Sequence, residues 1–212
     1  MKNRKRNRKL GFDYSSDNLY FVTICVKDRL CCFGSVISIE SLVGTGRNLS
    51  VRNPNQINPN QINPNEIVKK MELNKFGQIV HDRMLWLAEQ YQYVEIHNFV
   101  VMPNHVHAII EIATVGAGRD LPVRDQPVRY DLFACDLPDQ DEKIKIKSLS
   151  SLMGAFKTTS SKMIHQAGFV DFAWQRSFHD HIIRNEISYA RINDYIDANP
   201  ERWAVDTFFE KV

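Results

Sequence analysis

The sequence predicts an α+β fold, an antiparallel sheet with helices packed against it, and three observations carry that reading. Apolar runs of strand length, rich in aromatic and β-branched residues, recur along the chain. Segments with helical spacing of apolar residues fall between them. Two of the strand-like runs, Val94–Val101 and His105–Ala113, are separated only by Met102-Pro103-Asn104, which makes them an antiparallel hairpin. The uneven spacing of the strands argues against a parallel, doubly wound sheet.

Taken in order, Leu19–Val26 (LYFVTICV) reads as a buried strand. A short strand over Cys31–Ile39 follows the turn-like Lys27-Asp28-Arg29. Next come three five-residue units, NPNQI, NPNQI and NPNEI, at Asn53–Ile57, Asn58–Ile62 and Asn63–Ile67. A proline in every unit forbids a sustained helix or central strand, so residues 44–66 are read as an inserted low-complexity loop without chemistry. Apolar residues Phe76, Ile79, Val80, Met84, Leu87 and Ala88 give Phe76–Tyr91 helical spacing, with Asn74 as its cap. After the hairpin, residues 115–147 carry three prolines and dense mixed charge and read as a second insertion. Ser148–Gln166 is a helix, Trp174–Ile183 a last strand, and Glu186–Ala198 a helix stopped by Asn199-Pro200. Without the insertions, the order of strands and helices is that of a ferredoxin-like sheet. Residues 1–18 form a basic arm, and residues 19–212 form a single domain.

Composition narrows the function classes. Of 212 residues, 43% are hydrophobic and 25% charged, so the chain can bury a core and is not disordered throughout. The net charge of +2 says little about partners, but its distribution says more. Lys2, Arg4, Lys5, Arg6, Arg8 and Lys9 crowd one arm, suited to neutralising phosphates, although a solvated tail has the same composition. Cys25, Cys31, Cys32 and Cys135 lack any paired spacing and read as reduced thiols of a cytoplasmic protein. No apolar run approaches the roughly 18 to 20 residues that span a bilayer, and the arm is not followed by a signal-peptide core.

The sharpest chemical feature is His105-Val106-His107. On a strand, the two imidazoles share one face about 7 Å apart while Val106 points into the core, so both can reach one divalent cation. Tyr195 and Asn199 stand four residues apart on the last helix, hence on one face. A phenol and an amide oxygen delivered together supply a nucleophile and a third ligand, and a mixed nitrogen and oxygen set suits Mg²⁺ or Mn²⁺. Pattern alone leaves Tyr195 open, because Tyr189, Ile192 and Ile196 form a packing stripe on the same helix.

The stretch from Phe99 to His107 (FVVMPNHVH) resembles the histidine motif of REP-associated tyrosine transposases, within the HUH single-tyrosine superfamily. Trp174–Glu186 (WQRSFHDHIIRNE) with Tyr195–Pro200 (YIDANP) resembles their C-terminal block, and Tyr20–Cys25 their opening strand. The resemblance covers most of the chain outside the two insertions. It implies an enzyme that cleaves and rejoins single-stranded DNA through a 5′-phosphotyrosine link, with His105, His107 and Asn199 holding the metal and Tyr195 attacking. It further implies hairpin-forming REP-type palindromes as substrates, read in part by a basic tail, and a bacterial, monomeric protein. Related insertion-sequence transposases carry glutamine where Asn199 stands. Lys157, Lys162, Arg176 and Arg184 are candidate DNA contacts, and His179 and His181 candidate neighbours of the metal site. Three competing readings stay open: a domesticated hairpin-binding protein, a metal phosphodiesterase that activates water, and a binding module whose histidines hold no metal.

Overall fold

A computed structural model of the protein describes residues 11–40, 67–113 and 145–209. The basic arm Lys2–Lys9, Cys135, the NPNQI units up to Glu66 and most of the second insertion lie outside the described residues. The elements are β1 (Asn18–Cys25), β2 (Gly34–Glu40), β3 (Ile67–Leu73), α1 (Lys75–Gln90), β4 (Val94–Val101), β5 (His105–Ile112), α2 (Leu149–Gln166), β6 (His179–Ile183), α3 (Glu186–Asp197) and α4 (Asn199–Arg202).

Four strands form one sheet in the order β4-β5-β1-β6, every neighbouring pair antiparallel. With α1 after β1 and α2 after β5, this is the expected ferredoxin-like α+β topology. β2 and β3 form a separate two-stranded ribbon inserted between β1 and α1. The long helices start where capping side chains say they should. Asn74 Oδ1 accepts from the amides of Phe76 and Gly77 at 2.9 and 3.0 Å, and Asn185 Oδ1 accepts from Ser188 N at 2.8 Å.

Strand alternation divides the sheet into two unlike faces. Tyr20, Val22 and Ile24 of β1 and Val106, Ala108, Ile110 and Ile112 of β5 meet α1 and α2 in the main core. The opposite face carries Leu19, Phe21, Thr23, His105, His107 and Ile109, and is covered by α3 through Tyr189, Ile192, Tyr195 and Ile196. Packing begins ahead of the sheet, because Tyr14 is buried and stacks on Tyr20 at 5.8 Å.

Several elements differ from expectation. The second strand begins at Gly34 rather than Cys31, because the amides of Cys32 and Phe33 both donate to Pro103 O. β3 was not expected at all: Lys69-Lys70 interrupts its alternation, and only pairing with β2 makes it a strand. The last strand covers His179–Ile183, not Trp174–Ile183. Trp174 makes one isolated bridge to Val26, after which the carbonyls of Gln175, Arg176 and Ser177 turn toward the Lys157 ammonium. Pro200 does more than stop a helix. It sits in the first turn of α4, where its missing N–H has no partner to lose.

Candidate functional site

Antiparallel pairing with β1 sets the two histidines side by side, His105 opposite Cys25 and His107 opposite Thr23. Their rings lie 4.5 Å apart between centroids, and their relative exposures are 0% and 1%. Each is oriented by one polar neighbour. His105 Nδ1 lies 2.8 Å from Asn104 Oδ1, and the Asn104 amide nitrogen donates to the carbonyls of Arg29 and Phe208 at 3.0 and 2.8 Å. An NH₂ group facing two carbonyls fixes the amide's orientation, so His105 Nδ1 must carry the proton and Nε2 the lone pair. That Nε2 is buried and has no hydrogen-bond partner. His107 Nδ1 lies 2.9 Å from Thr23 Oγ1, leaving its Nε2 to accept from the Tyr195 hydroxyl at 3.2 Å.

The tyrosine reaches that position because its helix is pinned along β4. The β4–β5 register shifts between Ile96 and Asn98, a bulge of the kind that re-aims side chains. Past it, Asn98 Nδ2 donates to Asn193 Oδ1 and Asp197 Oδ1 of α3 at 2.8 and 2.9 Å. On the other side, His97 bonds Glu111 at 2.7 Å and Tyr189 at 3.3 Å. Three α3 residues at successive turns, Tyr189, Asn193 and Asp197, thus anchor the helix, and Tyr195, on a different side of it, reaches His107. Glu95, His97 and Glu111 also form a group able to hold an ion, but the His97–Glu111 bond already occupies its centre.

Beyond α3 the chain returns over the histidines. Asn199 is fully buried, its Oδ1 has no partner, and its Nδ2 lies 3.5 Å from Asp206 Oδ2. The phenyl ring of Phe208 lies 4.6 Å from the His105 ring. A nitrogen of His105, a nitrogen of His107 and an oxygen of Asp206 all lie within 4.8 Å of one another. The three could together hold a metal ion. Thr23, Asn104 and Asp206 were absent from the sequence-derived site. Asn104 adjoins the histidine pair in the motif itself; the other two come close only through folding.

The electrostatics fit a cation. Burial pushes the His105 imidazolium down to about 2, with the charges of His107 and Arg29 adding to the effect, and burial alone takes His107 to about 3. Both rings are therefore neutral at physiological pH, the form in which an imidazole can bind a metal. Burial and then the Asp206 carboxylate push the Tyr195 phenol up, opposed by a hydrogen bond to Asn199 and by Arg202. Two neutral imidazoles, one carboxylate and the unpartnered Asn199 Oδ1 make a donor set that a divalent ion would complete.

The other sequence-derived residues lie around this centre. His179 and His181 are exposed on edge strand β6, paired with Thr23 and Phe21, and so stand on the histidine face one strand beyond β1. Lys157 donates to the carbonyls of Gln175 and Ser177 at 2.9 and 3.1 Å. Lys162 and Arg176 are exposed and line a hollow beside α2, whereas Arg184 lines a different one with Tyr14 and Asp180.

No family model matches the sequence. An uncharacterised protein of Haemophilus influenzae is 29% identical over 207 residues, spanning 97% of this chain and 93% of that protein. Among solved structures, a REP-associated tyrosine transposase bound to a REP hairpin aligns over 94% of this chain and 74% of that one, at 17% identity and a TM-score of 0.48. A candidate transposase from Deinococcus radiodurans R1 aligns over 90% of this chain and 95% of that one, at 13% identity and a TM-score of 0.34.

Proposed function

We propose that this protein is a divalent-metal-dependent, single-tyrosine DNA nuclease and transposase that cuts and rejoins single-stranded DNA at hairpins. One observation carries the reading: the Tyr195 hydroxyl sits 3.2 Å from His107 Nε2, next to two buried polar atoms, His105 Nε2 and Asn199 Oδ1, that lack partners. A tyrosine serving only to pack would have no need of a donor set beside it.

In this reading, His105, His107 and Asp206 hold Mg²⁺ or Mn²⁺, with the Asn199 carbonyl as a further oxygen donor. When bound, the metal withdraws charge from a phosphate oxygen and makes phosphorus more electrophilic. The protein's own groups do the rest. Thr23 and Asn104 hold both imidazoles with their Nε2 lone pairs inward. Helix α3 presents the phenolic oxygen, which attacks phosphorus in line with the departing 3′ oxygen. Tyrosine loses one proton and the released 3′-hydroxyl gains one, so a phosphodiester is exchanged for a 5′-phosphotyrosine with no net proton change. Attack by a 3′-hydroxyl on that link reverses the exchange and joins strands without an energy source. The Phe208 ring covers His105. Tyr195 meets the histidines of its own chain, and a monomer therefore suffices.

The test is covalent trapping. Labelled single-stranded hairpins from repeats flanking the gene are incubated with Mg²⁺ or Mn²⁺ and the full-length protein. A slow-migrating protein–DNA band is expected for wild type and is lost in Tyr195→Phe and with chelator. Cleavage that survives Tyr195→Phe would instead mean a hydrolase using water, and binding without cleavage would mean a hairpin-binding protein.

A further inference from the structure

Two adjoining hollows on the surface share Trp174, Gln175 and Arg176 as their common wall. The first, about 700 Å³, is lined also by Lys27, Asp28 and Arg29. The second, about 680 Å³, extends along α2 past Lys157 and Lys162. The two lie side by side as a trough crossed by that wall, their charged lining together five cations and one carboxylate, and Lys27, Lys162 and Arg176 are exposed. A cationic channel of this length with little acidic relief is matched to a polyanion rather than to a small neutral ligand.

The trough ends beside the histidines. The Arg29 carbonyl accepts from Asn104, the residue that orients His105, and Gln175 N donates to the carbonyl of Cys25, which pairs with His105. The turn at this end is strained: Asp28 and Arg29 are consecutive non-glycine residues at φ 56° and 54°. Such a conformation costs about 1–2 kcal/mol per residue and persists where surrounding contacts impose it. Here Arg29 Nη1 donates to Thr207 O at 2.9 Å, and its guanidinium lies over the Phe208 ring at 5.3 Å. At the middle of the trough, the Lys157 ammonium grips the carbonyls of residues 175–177 from behind and so holds Arg176 at the rim.

We propose that this trough binds the phosphodiester backbone of the unpaired strand next to the scissile phosphate, through Lys27, Arg29, Arg176 and Lys162. The proposal rests on the DNA reading above and adds where the strand runs. It assigns Lys27 and Arg29 as DNA contacts and makes recognition here independent of base identity.

The test is the salt dependence of binding. A labelled single-stranded oligonucleotide of mixed sequence is titrated with full-length protein at several NaCl concentrations, following fluorescence anisotropy. Each lost phosphate contact lowers the slope of log K against log salt by about 0.7 on single strands. Lys27→Ala with Arg176→Ala should therefore lower it by about 1.4. Lys145→Ala, ahead of α2, whose first residue Leu149 lies about 20 Å along the helix axis from Lys162, should leave the slope as in wild type. A double variant that melts like wild type and keeps the wild-type slope overturns the trough, as does an equal fall in Lys145→Ala. Failure of the wild type to bind the oligonucleotide at any salt would instead overturn the DNA reading itself.

Discussion

The two faces of the sheet are made by alternate residues of the same strands, yet they solve opposite problems. Toward α1 and α2, β5 presents Val106, Ala108, Ile110 and Ile112, all without solvent exposure, in a largely apolar core. Toward α3, the same strand presents His105 and His107, equally buried but oriented by Asn104 and Thr23, with His105 Nε2 left unpaired and His107 Nε2 facing the Tyr195 hydroxyl. Burial stabilises on the first face and preorganises on the second. The unsatisfied atoms of the second face are a standing penalty of about 1–3 kcal/mol each, of the sort a protein retains where a ligand removes it.

That division makes opposite predictions for neighbouring residues. His107→Ala should abolish the metal-dependent protein–DNA adduct while leaving the melting temperature within a few degrees of wild type. Ile110→Ala, three residues away, should cost about 2–5 kcal/mol of stability through its cavity, a fall of roughly 5–20 °C, and still form adduct at temperatures where it is folded. Equal losses of stability and activity in both variants would erase the distinction between the faces. Smaller in effect, Thr23→Val removes the hydroxyl that orients His107 without changing side-chain size much. We expect Mn²⁺ affinity, measured by calorimetry on the metal-free protein, to weaken about 10- to 100-fold. Unchanged affinity would show that packing against Phe21, 5.3 Å from the His107 ring, suffices to hold it.

A separate effect appears in acid. In the metal-free fold His107 stays neutral to about pH 3 and His105 to about pH 2, whereas an unfolded histidine protonates near pH 6.5. Below that value the unfolded chain takes up protons that the native state refuses. Stability is therefore unaffected above pH 6.5 and declines as pH falls toward 3, by up to about 1.4 kcal/mol per pH unit for each histidine. His107→Ala should show a shallower decline in acid unfolding followed by circular dichroism. A decline as steep as in wild type would mean that the burial of His107 is relieved by water.

Much of this arrangement is legible in the sequence because it is local. The period-two spacing of His105 and His107, the Met-Pro-Asn turn and the Asn74 cap are written in neighbouring residues, and the structure has each where local physics places it. What escapes the sequence is non-local. The bulge before Asn98, the approach of Asp206 to the histidines and the bond from Thr23 to His107 each depend on segments far apart in the chain. β3 is hidden for the same reason, since a strand with two adjacent lysines needs its partner to be recognised. Trp174–Ser177 misleads in the other direction: its strand-like residues are drawn out of the ladder by one lysine of α2.

The strand order has a consequence for how the protein is born. β1 leaves the ribosome first, yet it lies inside the sheet, and its two partners come much later: Leu19 pairs with both Glu111 and Ile183. Pairings so distant in sequence are slow to close and leave the early apolar strand waiting for its neighbours. The groups at 105, 107, 199 and 206 likewise converge only after the segment beyond α3 has been made. A chain that has made only the sheet up to β5 thus holds its two histidines without the Asn199 and Asp206 atoms that stand beside them in the finished fold.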